Sequence, residues 1–227
     1  MRLRLLDLFC GAGGAAMGYH RAGFEVVGVD IEPQPHYPFE FVQMDALEYV
    51  QQDLQGWDGF DAIHASPPCQ AYSIANNIHG RTDHPDLIAE TRELLKVTGL
   101  SWVIENVPGA PLRDPVTVCG LSLGVNVKRH RLFESNVPLM VPPCHSKHDG
   151  DWLLVFGHTV LERGKQIGRT PNGGPIIRRK HVGTDRGREA MGIDWMNRDE
   201  LSEAIPPAYT ELIGHQLLQH IRAEAVA

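Results

Sequence analysis

The chain has 227 residues, 42% hydrophobic and 22% charged, enough for one substantial core and of ordinary soluble globular composition. No run approaches the roughly 20 apolar residues of a membrane span, and the basic, apolar start is interrupted at Asp7 and a glycine-rich turn, unlike a secretory leader. The net charge of −7 argues against a polyanion partner, but Leu161 to Arg188 holds eight basic residues against two acidic ones (Glu162 and Asp185) and follows Lys128-Arg129-His130-Arg131. This basic strip on an acidic body reads as a nucleic-acid footprint or, alternatively, as a solvated loop.

In chain order, residues 3–9 read as a short buried strand, Gly11–Gly14 as a turn, and Ala15–Arg21 as a helix closed by Gly23. Phe24–Asp30 is a second strand, after which Pro33, Pro35 and Pro38 prevent a helix from following directly. Phe60–Ala65 is a third buried run that stops at Ser66-Pro67-Pro68. Asp86–Thr98 has helical spacing, and Leu100–Ile104 is a fourth strand ending at Glu105-Asn106. Strands alternating with helices predict an α/β fold with a mostly parallel sheet, in which ligands collect beyond the carboxyl ends of the strands. The unusual clusters Phe9–Gly14, Asp30, Pro68-Cys69-Gln70 and Glu105-Asn106 all stand at such ends.

From Asn136 to Gly187 the sequence is rich in Gly, Pro and Arg and lacks helical periodicity, which predicts a small β-rich or irregular insertion. A helix-compatible stretch returns at Arg188, and Tyr209–Arg222 reads as an amphipathic final helix. The expected division is a catalytic and cofactor-binding core over 1–135, a recognition insertion over 136–187, and a return to the core over 188–227.

A strand, Gly11-x-Gly13-Gly14 and a helix form a turn in which the main chain can lie against a ligand. Asp30 at the next strand end can accept hydrogen bonds from the ribose of an adenosine-containing cofactor, or can serve as a loop carboxylate or helix cap. Asp45 could meet an adenine amino group. No third glycine completes the dinucleotide spacing, so a nucleoside cofactor without a pyrophosphate is favoured. Cys69 follows two prolines that fix the backbone; it is a candidate nucleophile or a small packed hydrophobe. Glu105 could act on a bound base as acid or hydrogen-bond partner. Arg129 and Arg131, two apart in an extended stretch, would project to one side and neutralise a phosphate or the thiolate environment.

In this order, Asp7-Leu8-Phe9-Cys10-Gly11-Ala12-Gly13-Gly14, Pro68-Cys69-Gln70, Glu105-Asn106-Val107, Arg129-x-Arg131 and Ala204-Ile-Pro-Pro-Ala-Tyr resemble the DNA (cytosine-5) methyltransferase family. The resemblance spans roughly residues 3–134 and resumes near Arg188–Gly214. It implies a Rossmann-like methyltransferase fold and S-adenosyl-methionine as cofactor. Phe9 would stack on the adenine, Gly11, Gly13 and Gly14 would cradle the methionine part, Asp30 would hold the ribose and Asp45 the adenine edge, with Ile31 and Pro68 also at the cofactor. Cys69 would add to carbon 6 of a cytosine flipped from the duplex, Glu105 would bind ring nitrogen 3 and the exocyclic amine, and Arg131 would steady the nucleotide with Arg129 as structural or phosphate partner. Gln70, Ser73, Asn76 and Arg81, on a loop closing over DNA, and Arg178, Arg179 and Lys180 in the insertion would meet double-stranded DNA. The reaction needs no metal.

The resemblance further implies a monomeric bacterial or phage modification enzyme of the cytoplasm. Two departures from the family pattern stand out: Val127 replaces a glutamine before Arg-x-Arg, and Ser202-Glu203 replaces a Gly-Asn pair near the methyl-donor pocket. Four cysteines, Cys10, Cys69, Cys119 and Cys144, are too scattered for a disulfide framework. Cys144-His145-x-x-His148 with Cys119 is a candidate zinc site of non-standard spacing, the alternative being loop histidines near phosphate. An RNA cytosine-5 methyltransferase and a non-catalytic DNA-binding relative are the competing readings.

Overall fold

The computed structural model describes residues 2–52, 59–68, 86–144, 148, 151–157, 159–170 and 173–226, with Lys165, Gln166 and Pro175 described by their backbone alone. Cys69, Gln70, Ser73, Asn76, Arg81 and His145 lie outside the described residues.

The chain opens with β1 (Arg4–Leu8), α1 (Gly14–Ala22), β2 (Glu25–Asp30), β3 (Glu40–Gln43) and α2 (Ala46–Gln52). It continues through β4 (Ala62–Ala65), α3 (Ile88–Val97), β5 (Ser101–Asn106), β6 (Val116–Cys119) and β7 (His130–Ser135). These strands form one sheet in the order β3-β2-β1-β4-β5-β7-β6. Strands β3 to β5 in that order pair in parallel, and β7 runs antiparallel to both its neighbours. Aliphatic residues that alternate along β1 feed two cores, Leu5 beneath α1 and Leu6 and Leu8 on the opposite face with Val50 and Leu95. The sheet therefore needs helices on both faces.

Helix α2 was not legible in the sequence: at seven residues it shows too little periodicity, and it rests on a cap from Asp45 and the burial of Ala46, Leu47 and Val50. Strand β5 runs two residues beyond its predicted end, so Glu105 and Asn106 are paired with Phe133 and Leu132 of β7 rather than standing in a loop.

After β7 come two antiparallel hairpins, β8 (Leu153–Phe156) with β9 (Thr159–Glu162), and β10 (Lys165–Arg169) with β11 (Pro175–Arg178). Helices α4 (Thr184–Met191), α5 (Arg198–Glu203) and α6 (Pro207–Glu224) follow. Val155 and Val160 share a third apolar core with Met191, Ile193, Leu201 and Val127. Helix α6 packs closely on α1, where a side chain at Gly18 would overlap Thr210 Oγ1 and the Pro207 carbonyl. The contact is tied by a hydrogen bond from Thr210 Oγ1 to the Ala15 carbonyl at 2.8 Å. No described helix is long and apolar enough to cross a membrane.

Candidate active site

The chain leaves β1 toward β2 and β3 on one side, and β4 and β5 occupy the other, so the carboxyl ends of β1 and β4 border the point where strand order reverses. Beyond β1, Phe9 adopts φ 55 and Gly13 φ 84. The first is a left-handed conformation that a bulky side chain adopts only under constraint, at a cost of roughly 1–3 kcal/mol. The constraint is visible: Cys10 donates its amide to the Val29 carbonyl at 3.2 Å, and Gly11 donates to Asp30 Oδ2 at 2.9 Å.

Asp30 Oδ1 also accepts the Glu32 amide at 3.0 Å. Asp30 is thus a loop carboxylate that fastens the glycine turn to the end of β2, and each of its oxygens keeps a second lone pair for a ligand. Ile31 beside it is 62% exposed, a large apolar side chain open to solvent at the rim of the turn. Asp45 uses Oδ1 to cap α2, accepting from Leu47 and Glu48 at 2.9 and 3.0 Å. Burial, reinforced by Asp7 and Asp30, pushes the Cys10 thiol well up, so this cysteine is no nucleophile. Asp7 is itself buried, and burial and Asp30 raise its carboxyl far above the usual range, against a long hydrogen bond from Tyr37.

At the end of β4, Ser66 donates its amide to the Leu8 carbonyl at 3.1 Å. The buried Asn106 donates from Nδ2 to the Pro67 carbonyl at 2.8 Å and accepts the Val107 amide at 2.9 Å. The strand-end asparagine therefore fixes the two-proline turn that leads into Cys69. Next to it Glu105 is 5% exposed, with Arg131 Nε 2.8 Å from its Oε1. That ion pair lies off the hydrogen-bonding axis, so Oε1 has charge compensation but no aligned donor among the described residues. Burial raises the Glu105 carboxyl above its ordinary range, while Arg131, a hydrogen bond from Ser66 and the charge of Arg129 pull it back.

Three residues not singled out in the sequence complete this end. Tyr19 Oη lies 3.0 Å from His64 Nδ1, and His64 Nε2 lies 2.8 Å from Ser66 Oγ. Burial lowers the His64 pKa to about 3, so the ring is neutral. A neutral ring donates from one nitrogen and accepts at the other, so His64 can link the Tyr19 and Ser66 hydroxyls. The result is a hydrogen-bond chain running from α1 to the end of β4, next to Glu105. The available signal was a histidine in the middle of the apolar run FDAIHA.

Arg129 and Arg131 part company. Arg131 reaches Glu105, whereas Arg129 is 7% exposed and donates to the carbonyls of Val155 at 3.0 Å and Ser202 at 2.6 Å. It clamps β8 and α5 to the residue that precedes β7. Tyr209 fixes the same point by donating to the Arg129 carbonyl at 2.7 Å. Val127, where a glutamine was expected, is fully buried in the third core. Glu203 is exposed at the end of α5. Arg178, Arg179 and Lys180 are exposed at and beyond the end of β11. Arg186 and Arg188 of the same basic strip are paired with Glu162 and Asp185.

Residues 3–114 match the model of the C-5 cytosine-specific DNA methylase family. Similar proteins include the type II methyltransferase M.NgoMIV of Neisseria gonorrhoeae, 34% identical over 122 residues, covering 51% of this chain and 38% of the relative. Another is M.FnuDI of Fusobacterium nucleatum, 31% identical over 116 residues, covering 47% of this chain and 33% of the relative. The matched region thus spans little more than a third of these relatives' length. Among solved structures, the S. pombe Dnmt2 methyltransferase superposes with a TM-score of 0.63 over 97% of this chain and 99% of that one at 14% identity, a likeness of fold. Residues 3–114, which hold the glycine turn, the two-proline turn and Glu105, are thus the part of this chain that is similar to the C-5 cytosine-specific DNA methylase family.

Proposed function

We propose that the chain methylates carbon 5 of cytosine in double-stranded DNA, with S-adenosyl-methionine as donor and Cys69 as a transient covalent nucleophile. The observation that carries this reading is Glu105: a buried, upshifted carboxyl held by Arg131 and Ser66 at a strand end, beside the fixed turn that delivers Cys69. A solvent-facing carboxylate would gain nothing from such a setting. A carboxyl that has to meet a ring nitrogen does, because burial favours its protonated form.

The cofactor end fits a nucleoside. The turn at Phe9–Gly14 is held in a strained shape by Asp30, whose oxygens retain accepting capacity for ribose hydroxyls, and the exposed Ile31 offers apolar cover for a purine. Phe9, Gly11, Gly13, Gly14, Asp30, Ile31, Asp45 and Pro68 would hold S-adenosyl-methionine, which when bound supplies an electrophilic methyl group. Glu105 would hold ring nitrogen 3 and the exocyclic amine of the flipped cytosine and make carbon 6 electrophilic. Cys69 would add there, raising electron density at carbon 5, and would leave as the carbon 5 proton departs. Arg131 keeps Glu105 oriented, and Arg129 holds the recognition segment 136–187 against the catalytic core formed by 1–135 and 188–227. Gln70, Ser73, Asn76, Arg81, Arg178, Arg179 and Lys180 would contact the duplex, each cation adding to a salt-dependent affinity. We infer a monomer working as a modification enzyme in the cytoplasm of a bacterial or phage-infected cell.

The test is transfer of a labelled methyl group from S-adenosyl-methionine to duplex DNA, with transfer RNA as the competing acceptor. Duplex containing 5-fluorocytosine should trap a covalent adduct with the parent chain and none with Cys69→Ser. Label on RNA alone would replace DNA as substrate. DNA binding without label or adduct would leave a binding protein and defeat the enzymatic reading. Bisulfite sequencing of DNA from expressing cells then reads out the target context.

A further inference from the structure

We propose that the chain holds a structural zinc ion on Cys119, His130, Cys144 and His148, a site independent of the methyl-transfer chemistry. The four ligand-type atoms lie within 4.8 Å of one another. Cys119 ends β6 and is paired in register with His130 at the start of β7, so the two side chains leave the same face of the sheet. Successive strand residues face opposite ways, which turns His130 away from the side on which its neighbour Arg131 meets Glu105. Cys144 and His148 arrive from the segment after β7.

The separations fit a metal. Cys119 Sγ is 3.5 Å from His148 Nε2, Cys144 Sγ is 3.3 Å from the same atom, and His130 Nε2 is 3.2 Å from Cys144 Sγ. A zinc tetrahedron with its usual bond lengths puts neighbouring sulfur and nitrogen atoms roughly 3.5 Å apart. The two imidazole rings stand 5.1 Å apart at 74°, each presenting Nε2 inward. Two thiols and two imidazoles form a soft donor set that selects zinc among common divalent ions. On binding, both thiols lose their protons to solvent and both rings stay neutral, so two thiolates cancel the ion's charge. Four protein ligands leave no open position, which makes the site structural.

The surroundings are prepared for it. Ser122 donates to the Pro143 carbonyl at 3.0 Å just before Cys144, and Trp152 Nε1 donates to the His148 carbonyl at 2.9 Å. Lys128 Nζ lies 5.1 Å from the centre of the Trp152 ring. The ion would pin the entry of the 136–187 segment, one strand ahead of β8, to the hairpin that carries Arg129 and Arg131. The sequence motif Cys144-His145-x-x-His148 with Cys119 pointed at the right region. The fourth ligand, His130, belongs to the basic run Lys128–Arg131 and is brought in only by strand pairing.

The experiment uses the full, tag-free chain made in zinc-supplemented medium and purified with a thiol reductant and no chelator. Elemental analysis should find about one zinc per chain. Exchange with cobalt(II) should give tetrahedral ligand-field bands and sulfur-to-cobalt charge transfer. Cys144→Ser and His148→Ala should each cut zinc content at least about fivefold while circular dichroism and S-adenosyl-methionine binding stay close to the parent. The parent's metal content and cobalt spectrum stand even where a variant folds poorly. A reduced parent chain with under about a tenth of an equivalent of zinc and no cobalt bands would overturn the site. So would full zinc retention in both variants, or a Cys119–Cys144 disulfide that persists under the reductant.

Discussion

Replacing Asn106 by alanine tests whether the turn into Cys69 is held from β5. The side chain is 1% exposed, donates to the Pro67 carbonyl at 2.8 Å and accepts the Val107 amide at 2.9 Å. Alanine leaves one buried carbonyl and one amide without these partners, at about 1–3 kcal/mol each. Val107 is partly exposed and its amide can recruit water, so the expected total is about 2–4 kcal/mol. Asn106→Asp should cost at least as much, since it keeps the acceptor for Val107 but sets a carboxylate oxygen against the Pro67 carbonyl. Urea denaturation at constant m measures the loss. Methyl transfer at saturating cofactor should fall by more than tenfold while the S-adenosyl-methionine dissociation constant changes little, because Asp30 and the glycine turn sit on β1 and β2. A stability change under about 0.5 kcal/mol together with parent turnover would refute the reasoning.

His64 makes the fold acid-sensitive. Its folded pKa of about 3 lies below the ordinary 6.5, so the unfolded chain binds more protons between these values and stability falls as pH drops through that window. The loss from this group is about 2 kcal/mol at pH 5, and His64→Gln should flatten the slope of unfolding free energy between pH 5 and 7; an unchanged slope would contradict a neutral buried ring. The buried pair of Arg92 and Glu134, 2.5 Å apart on Nε and 2.8 Å on Nη2, joins α3 to β7. Glu134→Ala should cost about 3–5 kcal/mol by stranding the guanidinium, and Arg92→Met with Glu134→Leu should cost less than that single change; equal losses in denaturant midpoint would rule out stranded charge as the cause. Asp30→Asn should weaken S-adenosyl-methionine binding tenfold or more, about 1.4 kcal/mol, in calorimetry, and a preserved dissociation constant would remove its ribose role.

Much of the site was legible because local chemistry encodes it. Gly11 and Gly13 permit the turn after β1, Pro67-Pro68 stops β4, and Glu105-Asn106 ends an apolar run; each feature is set by a few adjacent residues. Strands β1, β2, β4 and β5 and helices α1, α3 and α6 followed from periodicity in the same way, whereas β3, β6, β7 and the seven-residue α2 did not.

What the sequence by itself determined was therefore the parallel sheet, its ligand-bearing strand ends and the residue types waiting there. Tertiary structure alone decided which distant side chains meet. Strand register pairs Cys119 with His130, and the packing of β8 and α5 turns Arg129 into a clamp while Arg131 faces Glu105. Val127 is apolar because it closes a core shared by Leu153 and Met191, and Tyr19, His64 and Ser66 form one chain because α1 lies over β4. Backbone preferences act over a turn or two, whereas contacts such as Tyr19–His64, 45 positions apart, and Arg129–Ser202, 73 apart, depend on which face of a strand each side chain takes. That face is fixed only when the whole sheet closes.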